Sequence, residues 1–291
     1  MTYCVAIKLN QGLVFLSDTR TNAGVDLINR FRKMTVFEVA GERTIVLMSA
    51  GNLSISQSVV QHLQMQGGGD GTSLWNVANM FEAAQLVGHA IRSVYETDAD
   101  ALKEFDLSFN VSFIIGGQIR DEEMRLFQVY AAGNFIEATA ENPFLQIGEA
   151  KYGKPILDRV ITPDLGLDDA AKCALVSMDS TLQSNISVGL PLDLLVYERD
   201  ALRVTKFSRI TDENPYFQMI HREWGKRLRS AFEEIQQPIW TAHPDLSVSD
   251  ETDQLVRPII AQRRSSPSAT QTIIDKGAPE ADQPIVIQTM A

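Results

Sequence analysis

The chain has 291 residues, of which 44% are hydrophobic, enough to bury a sizeable core in one large domain with an appended tail. Its formal net charge of −11 repels nucleic acid and anionic membrane, and its two cysteines, Cys4 and Cys173, lack CxxC spacing and read as reduced core residues rather than a disulfide or metal site. No basic region followed by an apolar run opens the chain, and no stretch approaches the roughly 18 apolar residues of a membrane span, so a cytoplasmic protein is expected.

Tyr3 to Leu9 is apolar and rich in β-formers, Asn10-Gln11-Gly12 supplies turn chemistry, and Leu13 to Leu16 resumes the apolar run. A β-hairpin starting almost at the first residue is predicted. Ser17 to Arg32 reads as a polar loop, followed by a second hairpin, Met34 to Val39 with Thr44 to Met48. Leu53, Ile55, Val59, Val60 and Leu63 recur at helical spacing. The glycines at 67 to 69 end that helix; because they follow a helix and not a strand, a flexible connector suits them better than a phosphate loop.

From Ser73 a run of about six turns carries apolar residues on more than one side, as a helix packed on two faces does. Strands are expected at Leu107 to Gly116, Met124 to Tyr130, Asn134 to Thr139 and Phe144 to Gly148. Two helices follow: Lys151 to Val160, with Pro155 in its tolerant first turns, and Asp168 to Ser184, capped by Leu167-Asp168-Asp169. Leu192 to Tyr197 and Leu202 to Ile210 close the strand inventory.

Strands, two helices, strands, two helices, strands: this order implies two antiparallel sheets with helices outside both, an α+β four-layer αββα sandwich over residues 2–210. Residues 211–240 form a C-terminal helical extension, in which Pro215 to Gln236 places Phe217, Ile220, Trp224, Leu228, Phe232 and Ile235 near helical spacing, packing on its own domain or on a neighbouring subunit. Residues 241–291, rich in Ser, Thr, Pro, Gln and Asp, read as a disordered tail. The basic spots at 30–33 and 221–229 read as solvated faces.

Chemistry is scarce along most of this length. The four histidines, His62, His89, His221 and His243, show no metal-ligating pairing, and neither GxSxG nor GxxxxGK[ST] occurs, so no metal or cofactor is expected. The N-terminal stretch is different. If Met1 is removed, Thr2 carries a hydroxyl nucleophile and, in its α-amine with an ordinary pKa of about 7.7 to 8.0, a base that titrates near neutrality. A lysine ammonium would lower that pKa further and a carboxylate would hold the lysine; Lys33 and Asp18 offer the pair. Thr2 opens the first strand, Asp18 ends its partner and Lys33 opens the next hairpin, so three strand ends are expected to meet on one sheet edge, with Gly51 in Ser49-Ala50-Gly51 aiming a backbone N–H at an oxyanion.

Thr2 behind Met1, SDTRTNAGVD (17–26), FRKM (31–34), MSAGN (48–52), IGEAKYGKPILDR (147–159) and MDSTLQSNISVG (178–189) together resemble the proteasome β-subunit family of N-terminal-nucleophile hydrolases, most closely its bacterial Anbu (ancestral β-subunit) branch. The resemblance implies a threonine peptidase with Thr2 as nucleophile and base, Asp18 and Lys33 as the acid and lysine, Gly51 as oxyanion donor, and Ser184 as a serine hydrogen-bonded to the threonine amine. It also implies a peptide or unfolded-protein substrate, self-association into a ring-like or helical homo-oligomer, and pocket residues near Arg20, Gly24 and Ser49 to Leu53. Nothing in the residues names an unfoldase partner. Maturation is expected to need only methionine excision.

The sequence departs from the family pattern twice. Glu149 and Ala150 stand where a serine is expected after Ile147-Gly148, and the acid three residues before Ser184 is replaced by Thr181, leaving Asp179 as its substitute. Three readings therefore stay open: a threonine peptidase, a non-catalytic assembly scaffold of the same fold, and a small-molecule amidohydrolase.

Overall fold

The computed structural model describes residues 2–23, 27–65 and 71–238, and Met1–Ile235 form one compact unit. Met1, Gly24, the 67–69 glycines and the 241–291 tail, each given a role above, lie outside the described residues.

One five-stranded sheet runs in the order β10-β1-β2-β11-β12, with β1 at Tyr3–Leu9, β2 at Gly12–Asp18, β10 at Phe144–Gly148, β11 at Leu192–Glu198 and β12 at Lys206–Ile210. The other runs β5-β6-β7-β8-β9, with β5 at Met34–Val39, β6 at Arg43–Gly51, β7 at Val111–Ile119, β8 at Arg125–Val129 and β9 at Phe135–Glu137. All pairs in both sheets are antiparallel. Helices α1 (Leu53–Met65) and α2 (Met80–Glu104) pack on the second sheet, and α3 (Lys154–Val160) and α4 (Leu167–Ser184) on the first. The expected four-layer αββα sandwich is the observed one.

Three apolar layers explain why the central strands are apolar runs rather than alternations. In β1, Tyr3, Val5 and Ile7 face α3 and α4, while Cys4 and Ala6 enter the inter-sheet core with Leu13 and Phe15 of β2 and Val46, Met48 and Ala50 of β6. Side chains on successive strand residues point to opposite faces, so a strand covered on both sides must be apolar at every position. Phe15 is fully buried between the sheets, and truncating such a residue to alanine costs about 3–5 kcal/mol.

Several local expectations change. The polar stretch 17–32 contains a small hairpin, β3 (Arg20–Ala23) paired with β4 (Leu27–Arg30); strands this short and polar carry no period-2 signal. The second long helix begins at Met80, not Ser73. Asn79 is its N-cap, accepting the Glu82 N–H at 2.9 Å, whereas Ser73 closes a separate turn by donating its N–H to Asn76 Oδ1 at 2.7 Å. That helix buries one stripe, including Ala83, Ala84, Val87, Ile91 and Val94, while Phe81 and Tyr95 are exposed, so it packs on one face, not two. The N-cap of α4 is Gly166, with no side-chain cap bond; Asp168 and Asp169 contribute charge to the first turn instead.

Helix α5 (Pro215–Glu233) is capped by Asn214, which accepts the Phe217 N–H at 3.0 Å. Only its first turns are buried, through Phe217 and Ile220 against α4, while Leu228 and Phe232 are exposed. No helix among the described residues is long and apolar enough to cross a membrane.

Candidate active site

Thr2 lies just ahead of β1 and is 8% exposed. The next residue donates its backbone N–H to Asp18 Oδ1 at 3.0 Å. Asp18, at the end of β2, is fully buried, and the same oxygen accepts Lys33 Nζ at 2.7 Å. Lys33 donates also to the Arg20 carbonyl at 2.6 Å, and the Gly189 N–H reaches Asp18 Oδ2 at 3.4 Å. Burial pushes the Asp18 carboxyl above its ordinary value, and the Lys33 ammonium together with the Tyr3 and Gly189 N–H groups pulls it back.

Lys33 precedes β5, so its carbonyl accepts the Ser49 N–H at 3.0 Å, and the Cys4 thiol approaches the Ser49 carbonyl at 3.8 Å. The three strand ends therefore come from both sheets. Thr2 and Asp18 belong to one and Lys33 to the other, so the constellation spans the mouth of the sandwich rather than one sheet edge. Two residues beyond Ser49, Gly51 ends β6 at φ +109°, and a Cβ there would stand 2.3 Å from the Asn110 carbonyl oxygen. Glycine is required by both conformation and space.

Cys4 is no rival nucleophile. Burial raises its thiol pKa, Asp18 raises it further, and Lys33 opposes them only in part.

The loop side of the site differs from the sequence expectation in its contacts. Tyr3 pairs with Gly148, and Glu149 donates its N–H to the Thr2 carbonyl at 2.7 Å. Gly148 has φ +82°, and a Cβ on it would lie 2.0 Å from the Thr2 oxygen. Asn185, not Ser184, reaches this corner, donating Nδ2 to Glu149 Oε2 at 2.9 Å. Ser184 is the exposed last residue of α4. Asp179 is buried against α5, where His221 donates from Nδ1 to Asp179 Oδ1 at 2.8 Å; Thr181 bonds within its own helix to the Ser177 carbonyl at 2.9 Å. Ala150 follows Glu149 in the turn leading to α3, donating its N–H to the Gly148 carbonyl at 3.1 Å. His221, read as part of a solvated face, is thus a helix-to-helix contact.

Two clefts flank the site. One of about 490 Å³ is lined by Lys33, Thr35, Ser49, Leu53, Ser56 and Gln57. A larger one of about 780 Å³ lies between Arg20, Asp179, Val188, Gly189, His221 and Arg222. The smaller cleft reaches the site at Lys33, and the larger one reaches it at Arg20 and Gly189.

No model of a known protein family matches the chain. Solved structures do. The chain is 50% identical to Anbu (ancestral beta-subunit) from Yersinia bercovieri, with a TM-score of 0.77 over 82% of this chain and 100% of that one. The chain belongs to the Anbu family. It is 48% identical to the Anbu chain of a helical assembly from Pseudomonas aeruginosa, with a TM-score of 0.79 over 83% of this chain and 100% of that one. A proteasome subunit beta from Halorubrum lacusprofundi is 22% identical over 218 residues, 72% of this chain and 79% of the relative. Anbu membership carries with it the proteasome β-subunit-like fold of the N-terminal-nucleophile hydrolases.

Asn185, Gly189 and the Tyr3 N–H escaped the sequence reading. Asn185 and Gly189 both lie within SNISVG (184–189), and its Asn-x-Ser-x-Gly spacing is the available signal.

Proposed function

We propose that this Anbu protein is a threonine peptidase. Its nucleophile is Thr2 Oγ, freed with its α-amine by loss of Met1. The amine takes the hydroxyl proton as Oγ attacks the peptide carbonyl, the carbonyl oxygen becomes an oxyanion facing the Gly51 N–H, and the C–N bond breaks. The ammonium returns its proton to the leaving nitrogen, and water then hydrolyses the Thr2 acyl ester. The observation that carries this reading is the fully buried Asp18 carboxylate, which accepts both the Tyr3 N–H and Lys33 Nζ and so ties the nucleophile's strand to the lysine.

A non-catalytic scaffold is the second reading, favoured by the P. aeruginosa Anbu having been solved as a helical assembly and by Glu149 standing in the serine position. Self-association is part of both readings. Mass spectrometry of the purified protein should show Met1 absent, and Thr2→Ala should abolish hydrolysis of short peptides and unfolded proteins. Equal background activity in wild type and Thr2→Ala, or retained Met1, would favour the scaffold; loss confined to small amides would redirect the assignment to an amidohydrolase.

A further inference from the structure

We propose that Glu149, held by Asn185, is a positioning residue that controls protonation of the Thr2 amine from the loop side of the site, an inference that rests on the peptidase reading. The β1–β10 ladder ends at Tyr3 opposite Gly148, and one residue on, a 2.7 Å bond runs from the Glu149 N–H to the Thr2 carbonyl. Gly148, at φ +82°, turns the chain out of the ladder there, so Glu149 is fixed beside Thr2 through its backbone, and its side chain starts from that anchored point.

The Glu149 side chain is 11% exposed and tied at both oxygens, by Asn185 Nδ2 at 2.9 Å and by Lys151 Nζ at 3.4 Å. Lys151 is 67% exposed, so solvent screens most of its compensation. Asn185 accepts the Ser187 N–H at 2.9 Å, and the same loop ends at Gly189, whose N–H meets Asp18. One loop thus steadies both the Asp18 and the Glu149 carboxylates.

The other charged or titratable groups around this corner are few. Lys33 faces it from ahead of β5, already shared between Asp18 and the Arg20 carbonyl. Asp179 of α4 is engaged by His221 of α5. Tyr3 and Cys4 of β1 are buried and neutral. A carboxylate held near an amine favours the ammonium, whereas a serine would offer a hydrogen bond without charge. Because only the free amine accepts the Thr2 hydroxyl proton, Glu149 moves the working range toward alkaline pH.

The direct test is NMR titration of Thr2 in full-length protein labelled with 13C-threonine, its signal assigned by its disappearance in Thr2→Ser. Glu149→Gln keeps shape and the Asn185 contact, and should lower the titration midpoint by about half to one pH unit. The midpoint of kcat/KM against pH should fall by the same amount, and Glu149→Ser should behave alike. An unmoved midpoint in Glu149→Gln, with rate merely scaled, would assign Glu149 a structural role and overturn the inference, as would a Thr2 signal that does not titrate in the wild type. Persistent hydrolysis by Thr2→Ala would instead overturn the peptidase reading, so the two failures are distinguishable.

Discussion

On the strand side of the site, Thr2, Asp18 and Lys33 sit at the ends of β1, β2 and β5 with 8%, 0% and 6% exposure; on the loop side, Glu149, Asn185 and Ser184 sit in a strand-exit turn and at the end of α4, where Ser184 is exposed. Strand-side positions are fixed by ladders that run the length of both sheets, so moving one of them means slipping a register and turning every side chain of that strand over. Loop-side side chains are held by hydrogen bonds and ion pairs outside the ladders, so they can be exchanged without slipping the register of either sheet. The proposed catalytic trio lies on the first side, and the two departures from the resemblance lie on the second.

The largest effect that could break this contrast is expected at Lys33. Lys33→Met leaves the Asp18 carboxylate buried without its cation, which should cost about 3–5 kcal/mol of stability and lower kcat at least about 100-fold. Denaturant unfolding and peptide hydrolysis measure both, and a stability loss below about 1 kcal/mol would show that the strand side is no more rigid than the loop side.

Gly148→Ala probes the seam between the two regions. The new Cβ would press on the Thr2 carbonyl at a backbone conformation of φ +82°, so a loss of about 1–3 kcal/mol is expected, with activity falling further than the stability loss explains. Unchanged activity would mean that the Glu149–Thr2 hydrogen bond does not position the nucleophile.

The smallest effect belongs to a control outside both regions. Arg125 on β8 forms a two-point bond with Glu137 on β9, at 2.8 and 2.6 Å, and holds its carboxyl below the usual range. Glu137→Gln should cost about 1 kcal/mol or less because the pair is a third exposed. A depressed carboxylate pKa stabilises the fold above the unfolded value of about 4.3 and loses that contribution as pH falls through the lower folded value. Wild type and variant should therefore converge in stability in acid, with peptidase activity equal at neutral pH.

What the sequence made legible follows the same division. Strands buried on both faces announce themselves as apolar runs, and Thr2, Asp18 and Lys33 mark strand boundaries that turn chemistry reveals. The β3–β4 hairpin stayed hidden because RTNA and LINR have neither length nor alternation. The convergence on one sheet edge was misplaced because spacing along the chain does not say that Lys33 starts a strand of the opposite sheet. Asn185 with Glu149 and His221 with Asp179 join residues 36 and 42 positions apart through single side-chain bonds. No periodicity encodes such contacts, since they depend on how helix ends pack against strand exits. Asn79, by contrast, could have been read as the α2 cap from the Glu three residues beyond it.

The most direct test is to trap the acyl-enzyme with a slowly deacylating peptide ester and map the adduct by mass spectrometry. The peptidase account predicts a single ester-linked acyl group on Thr2 of a chain lacking Met1, absent from Thr2→Ala. An adduct on another residue, or turnover with Thr2 unmodified, would contradict it.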